Sequence, residues 1–232
     1  MYKNLGIVQA RMNSSRFPGK MICKLGEHRI LEWVLIRTLM SKELDLVVLA
    51  TSKNEQDDKL SDIATELGVK VFRGEEDDVL DRFVGALECY PAKNVIRICA
   101  DNPFIDAKEI DRLVRKFLSS DCDYAFNNLS KLNGRYADGF GAEILSGELI
   151  KTYAKSNCSQ AQREHVTKLI WDNLEKYEVL TVKAPDALAF PDFHFDIDRP
   201  ADHKRLCKLV EAGINIDSSA KEIIKISMQL DI

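Results

Sequence analysis

Ile7-Val8-Gln9-Ala10-Arg11-Met12-Asn13-Ser14-Ser15-Arg16-Phe17-Pro18-Gly19-Lys20 decides the reading of this chain, because a short apolar run stops abruptly in a small, polar loop carrying three cations. A first strand that ends in this way delivers its loop to the carboxyl edge of a sheet. Arg11, Arg16 and Lys20 can surround a triphosphate there, while Ser14, Ser15 and Gly19 bring backbone N–H groups close to its oxygens. The spacing is neither that of a P-loop, which needs Gly-Lys-Ser/Thr opening a helix, nor that of the dinucleotide fingerprint Gly-x-Gly-x-x-Gly. As a bare pattern, a solvated basic loop after an edge strand stands as the alternative.

Outward from this loop, apolar runs of strand length alternate with stretches of helical period, the pattern of repeated βαβ units and a mostly parallel sheet. Strands are expected at Leu5–Ala10, Leu46–Thr51, Val69–Phe72, Val95–Ala100 and Tyr124–Phe126. Between them Ile30, Leu31, Val34, Leu35 and Leu39 recur at helical spacing, as do Leu60, Ile63, Ala64 and Leu67, then Val79, Leu80, Phe83 and Leu87. Gly68 stands where a helix C-terminal glycine is expected. After about residue 127 the alternation breaks, and Asn127 through Gly141 is a polar segment without a period, the kind that is usually functional or an arm to a partner. Helices are expected at Gly147–Ser156, Gln160–Asn173, Ala201–Ala212 and Ser219–Leu230, with strands at Tyr177–Ala184 and Phe193–Ile197.

The 232 residues fit one domain, 1–232, with residues 1–127 as a nucleotide-binding half and 128–232 as an acceptor-binding half. A formal net charge of −4 argues against a nucleic-acid or anionic-membrane partner, since such binders carry a net basic face. The six cysteines form no Cys-x-x-Cys pair, and Met-Tyr-Lys-Asn leads into a strand rather than a signal segment, so a cytoplasmic protein with reduced thiols is expected. No apolar run approaches the ~20 residues that span a bilayer.

In open parallel sheets ligands bind beyond the carboxyl ends of the strands, which directs attention to the residues that follow them. Asp101 follows one expected strand and Asp198 another, and two converging carboxylates suit an oxygen-preferring Mg²⁺ held together with substrate phosphates. Asp101 can equally form an Asx-turn before Pro103, and Asp198 can cap a helix ahead of Pro200. Thr51 and Ser52 can hydrogen-bond a base or ribose, or cap the helix entered near Asn54. Arg73 ends the third strand on the same edge and is assigned to the nucleotide. Asp78, Asp81 and Arg82 lie at i, i+3 and i+4, the spacing of a surface ion pair on a helix; that account is preferred for Asp78, and Arg82 is left open. His165 can orient an acceptor carboxylate or hydroxyl, or be a packed surface histidine. Asn127, Asn128, Arg135, Asp138 and Glu143 are further candidates on or beside the irregular segment.

Gln9-Ala10-Arg11-Met12 through Lys20 resembles the signature loop of the cytidylyltransferase family that includes CMP-Kdo and CMP-sialate synthetases, most closely its spore coat polysaccharide biosynthesis protein F branch. The resemblance continues in order through Ala50-Thr51-Ser52, Val71 to Arg82, Arg97 to Asp106, Arg163-Glu164-His165-Val166-Thr167 and Phe195 to Asp202, and so spans nearly the whole chain. It implies an α/β fold: a Rossmann-like three-layer sandwich with a mostly parallel central sheet and an irregular arm or hairpin insertion after the fifth strand. It also implies a Mg²⁺-dependent transfer of CMP from CTP to an acidic sugar or related oxyanion, with release of pyrophosphate, in cell-surface polysaccharide or glycan biosynthesis. On that basis Arg11, Lys20, Asp101 and Asp198 are the catalytic set, and Asp101 and Asp198 hold the metal. Ala10, Arg11, Ser14, Arg16, Lys20, Thr51, Ser52 and Arg73 would bind the nucleotide. Asn127, Arg135, Asp138, Glu143, Glu164 and His165 would bind the acceptor. Dimeric members of the family imply a homodimer through the 128–145 segment.

Two departures from the branch fall near the expected pocket. Cys99-Ala100-Asp101 stands where Thr-Gly-Asp is usual, and Asp138-Gly139-Phe140-Gly141-Ala142-Glu143 lacks the second aspartate of Asp-Gly-Leu-Asp-x-Glu. They bear on the acceptor more than on the reaction class. Asp196-Ile197-Asp198 imitates the Asp-x-Asp metal motif of a glycosyltransferase, but it comes late in the chain and leaves the basic first loop without a use. A non-catalytic nucleotide-binding homologue is the remaining alternative.

Overall fold

The computed structural model describes residues 1–129 and 131–231; Ser130, inside the 128–145 segment, lies outside the described residues. Seven strands form the central sheet: β1 (Tyr2–Gln9), β2 (Leu46–Ser52), β3 (Lys70–Gly74), β4 (Ala92–Cys99), β5 (Tyr124–Phe126), β6 (Glu143–Ser146) and β7 (Val179–Thr181). Their spatial order is β3-β2-β1-β4-β6-β5-β7. β1 pairs in parallel with β2 and β4, with Leu5 opposite Leu46 and Val95. Only β6 runs against its neighbours β4 and β5. In β1 the residues from Asn4 to Val8 are all buried, as a strand covered on both faces by crossover helices requires.

The helices are α1 (Ile30–Leu39), α2 (Asp58–Glu66), α3 (Val79–Cys89), α4 (Ala107–Leu118), α5 (Gly147–Ala154), α6 (Gln160–Glu164), α7 (Lys168–Trp171), α8 (Pro200–Glu211) and α9 (Ala220–Leu230). They make two apolar layers against the sheet. In one, Trp33 of α1, Leu60 of α2, Leu113 of α4, Leu206 of α8 and Ile223 of α9 share a core with Val8, Leu49 and Ile98. In the other, Phe83 of α3, Ile150 of α5 and Ile170 of α7 pack with Ile7, Val48 and Val95. Successive strand residues point to opposite faces, so the continuous apolar run in β1 feeds both layers. Gly68 closes α2 at φ 73°, a conformation that favours glycine.

The structure departs from the sequence expectation in the second half. Glu143–Ser146, not expected as a strand, is the antiparallel β6, whereas Phe193–Ile197 makes only an isolated bridge from His194 to Asp138. The expected helix Gln160–Asn173 breaks at His165 (φ −114°, ψ 89°), and the break turns Val166 and Thr167 into the interior. Gly141 lies so close to Asn127 that a Cβ there would stand 2.1 Å from the Asn127 carbonyl oxygen, so this backbone excludes the aspartate that the resemblance leads one to expect. No helix of the described residues is long and apolar enough to cross a membrane.

Candidate active site

The loop after β1 is held in shape by its own backbone and by one buried carboxylate. Gly19, at φ 73°, donates its N–H to the Met12 carbonyl at 2.9 Å and so closes the loop before the single turn Lys20–Ile22. Asp57 accepts the Met12 N–H at 2.7 Å on one oxygen. On its other oxygen it accepts the hydroxyls of Thr51 (3.1 Å) and Ser52 (2.5 Å) and the Ser52 N–H (3.2 Å). Thr51 and Ser52 are fully buried and outside the cleft, so their hydroxyls serve the carboxylate that positions the loop.

Lys20 is buried, donates to the Ile197 carbonyl at 2.6 Å, and places its ammonium 3.5 Å from Asp101 and 3.7 Å from Asp198. Arg16 reaches Asp198 at 2.8 Å. The Ile197 N–H donates to the Asp101 carbonyl at 2.8 Å, which joins the two aspartate-bearing segments directly. Arg11 contacts Glu164 at 3.0 Å and Asp77 at 3.6 Å. Arg11, Arg16, Lys20, Asp101, Glu164 and Asp198 open onto one cleft of about 310 Å³, lined also by Ala10, Ser14, His165, Arg82, Arg97 and Cys99. Two carboxylates that share a cation, beside a cationic loop, suit a hard divalent ion and the phosphates it would accompany.

Of the residues expected at the site from sequence, Ala10, Arg11, Ser14, Arg16, Lys20, Asp101, Glu164, His165 and Asp198 are brought together. Others are placed elsewhere. Arg73 donates to the Ser52 and Asn54 carbonyls at 2.8 Å each and pairs with Asp58 at 2.5 Å, which ties β3 to the start of α2. Asn127 is buried, donates to the Glu109 carbonyl at 2.8 Å and accepts the Ala142 N–H at 2.9 Å. Glu143 is buried on β6, where it pairs with Arg97 and accepts the Tyr124 hydroxyl and, at 2.9 Å, that of Thr167. Arg135 is exposed, at φ 60°. Asp78 caps α3, accepting the Asp81 N–H at 2.9 Å, and pairs with Arg163 at 2.5 Å rather than with Arg82. Asp138 lies outside the cleft lining, with His194 and Asp196, the three offering ligand atoms within 4.8 Å of one another. Burial, reinforced by Asp196, Asp101 and Asp198, pushes the Asp138 carboxyl up to about 7.

Arg82, Arg97 and Cys99 line the cleft without having been assigned to it. Arg97 and Cys99, two residues apart on β4, share one face and are half-buried, and which face of an inner strand meets a cleft is set by the layers above and below it. Arg97 donates to the Gln9 side chain at 3.0 Å. Burial pushes the Cys99 thiol up to about 12, so it remains protonated near neutral pH and supplies no thiolate.

A mostly parallel sheet with a cationic loop after its first strand and two acidic residues facing that loop fits a nucleotidyltransferase. Residues 5–227 match the cytidylyltransferase family model, and the chain belongs to that family. It is 34% identical over 226 residues to the spore coat polysaccharide biosynthesis protein SpsF of Bacillus subtilis, covering 95% of this chain and 92% of that protein. The solved structure of a cytidylyltransferase from Leptospira borgpetersenii superposes with a TM-score of 0.91 at 27% identity, over 100% of this chain and 96% of the other. A CMP:2-keto-3-deoxy-manno-octonic acid synthetase solved with CTP shares the fold, with a TM-score of 0.68 at 16% identity over 91% of this chain and 100% of the other.

Proposed function

We propose that the protein transfers CMP from CTP to an acidic sugar or related oxyanion and releases pyrophosphate, within the synthesis of a surface polysaccharide. The observation that carries this reading is the Lys20 ammonium set between Asp101 and Asp198 at the mouth of the phosphate loop. The family supports cytidine as the base, and the CTP bound in the structural relative agrees with it.

In this reading Arg11, Arg16 and Lys20 bind the triphosphate and offset its charge, while N–H groups of the loop fix its oxygens. Binding of the triphosphate draws Arg16 and Lys20 from the aspartates, which frees both carboxylates for Mg²⁺. When bound, that ion would neutralise charge on the reacting phosphate and hold it in line for the acceptor oxygen. Glu164 and His165 also line the cleft, and in this reading they face the acceptor, whose carboxylate or hydroxyl the imidazole can orient.

Pyrophosphate release from CTP, measured with a panel of acidic sugars and Mg²⁺, tests the reading. Asp101→Asn and Asp198→Asn should each lower turnover by about a hundredfold or more, with little loss of melting temperature, because neither side chain caps a helix or turn here and Lys20 keeps the other aspartate and the Ile197 carbonyl as partners. Near-normal turnover in both variants, with unchanged Mg²⁺ dependence, would show these aspartates to be structural and the mechanism wrong.

A further inference from the structure

Arg82 is the fourth residue of α3 and is only 2% exposed, yet it lines the cleft. Its Nε and Nη1 are buried without a hydrogen-bond partner. A guanidinium carries its charge at every physiological pH, and an unpaired buried one is costly unless something else satisfies it. The acids that face it are Asp57, Glu76 and Asp78. Asp57 is engaged by Met12, Thr51 and Ser52, and Asp78 by Asp81 and Arg163; Glu76 gives one oxygen to Asn54, while its Oε1 is buried without a hydrogen-bond partner and does not pair with Arg82. Burial pulls the Arg82 pKa below the ordinary guanidinium value, and the Arg11 charge pulls it further. The molecule thus holds two mutually repelling guanidiniums at one cleft, one of them without any partner on two of its nitrogens.

We propose that Arg82, together with Arg11, forms a phosphate-binding subsite that takes a phosphoryl group of the nucleoside triphosphate. This rests on the nucleotidyltransferase reading and adds to it a buried cation that the loop motif does not contain. A phosphoryl group fits better than a carboxylate, because it carries the greater charge and presents oxygens in more than one direction to two separate guanidiniums. Arg82 is also rigidly placed. A Cβ on Gly74 would lie 2.6 Å from its Cγ, so β3 passes directly against the side chain and limits its retreat.

Arg82→Met removes the unpaired charge and keeps most of the volume; Arg82→Lys keeps a charge and loses the fork. Calorimetric titration of the full chain with CTP and with inorganic tripolyphosphate, beside melting curves without ligand, separates the possibilities. Both variants should bind both ligands at least about tenfold more weakly than wild type, while the ligand-free Met variant melts no lower than wild type. Unchanged affinity for both ligands in either folded variant overturns the subsite alone. Loss of CTP affinity with tripolyphosphate unaffected moves Arg82 to the base, ribose or acceptor and also overturns it. A Met variant that melts well below wild type, with the Lys variant binding normally, makes Arg82 a structural residue. Failure of wild type to bind CTP overturns the functional reading itself.

Discussion

Lys20 and Lys24 lie four residues apart and differ in everything that decides affinity for an anion. Lys20 is buried against Asp101, Asp198 and the Ile197 carbonyl, whereas Lys24 is exposed and donates to the Glu27 carbonyl at 2.7 Å. A charge-assisted contact contributes about 1.5–3 kcal/mol, so Lys20→Ala should weaken CTP binding at least about tenfold. Lys24→Ala should leave it unchanged, and equal small effects in a calorimetric titration would sink the phosphate-loop assignment. Arg11, Arg16, Lys20 and Asp101 could be read towards one edge from sequence because they follow β1 and β4, and the carboxyl edge of a parallel sheet gathers such residues whatever their neighbours do; Asp198 follows no strand and is brought beside them by the Ile197 N–H donated to the Asp101 carbonyl. Thr51 and Ser52 obey the same rule yet lie outside the cleft. They end β2, but Asp57 folds back from the next turn and takes both hydroxyls, so they act on the ligand loop only through that carboxylate. Arg82 was ambiguous because its i, i+4 spacing from Asp78 describes an exposed pair, while the pairing of Asp78 with Arg163, 85 residues away, is a tertiary fact.

The elements with strong periods were legible and those fixed by a single long-range contact were not. β1, β2 and β4 are apolar runs long enough to be read as buried parallel strands, and their flanking helices carry clear apolar stripes. β6 has only Ile144 and Leu145 as its apolar pair, and its remaining side chain of consequence is a carboxylate buried in the sheet. Glu143 is tolerated there because Arg97 pairs with it and two hydroxyls donate to it. Burial alone would raise its pKa, but these partners hold it below the usual carboxylate value. The same contact explains the break between α6 and α7, since an unbroken helix would not deliver the Thr167 hydroxyl to Glu143. Removing one member of a buried charge pair typically costs about 3–5 kcal/mol, so Glu143→Gln should lower stability by roughly 3 kcal/mol in denaturant unfolding. A loss below about 1 kcal/mol, the range of exposed pairs, would show that Arg97 finds another partner and that β6 does not depend on this one.

At the scale of the whole molecule the carboxyl edge gathers more acid than the chain's formal charge of −4 conveys, because Asp101, Asp138, Asp196 and Asp198 act on one another there. Asp138 titrates at about 7 in the folded protein against an ordinary 3.8, first because it is buried and then because of those neighbours. The folded chain therefore holds this proton more tightly than the unfolded chain does. Its contribution to stability is fully present below pH ~4 and is lost as pH rises towards about 7. Glu143 acts in the opposite sense, with its contribution lost as pH falls, so wild type alone reports a mixture of the two. The difference between wild type and Asp138→Asn isolates the first. With divalent ions chelated, the Asn variant should gain on wild type between pH 4 and pH 8 by at least roughly 2 °C in melting temperature. A constant difference across that range would mean that Asp138 titrates as an ordinary carboxyl and that the acidic edge does not destabilise the ligand-free fold.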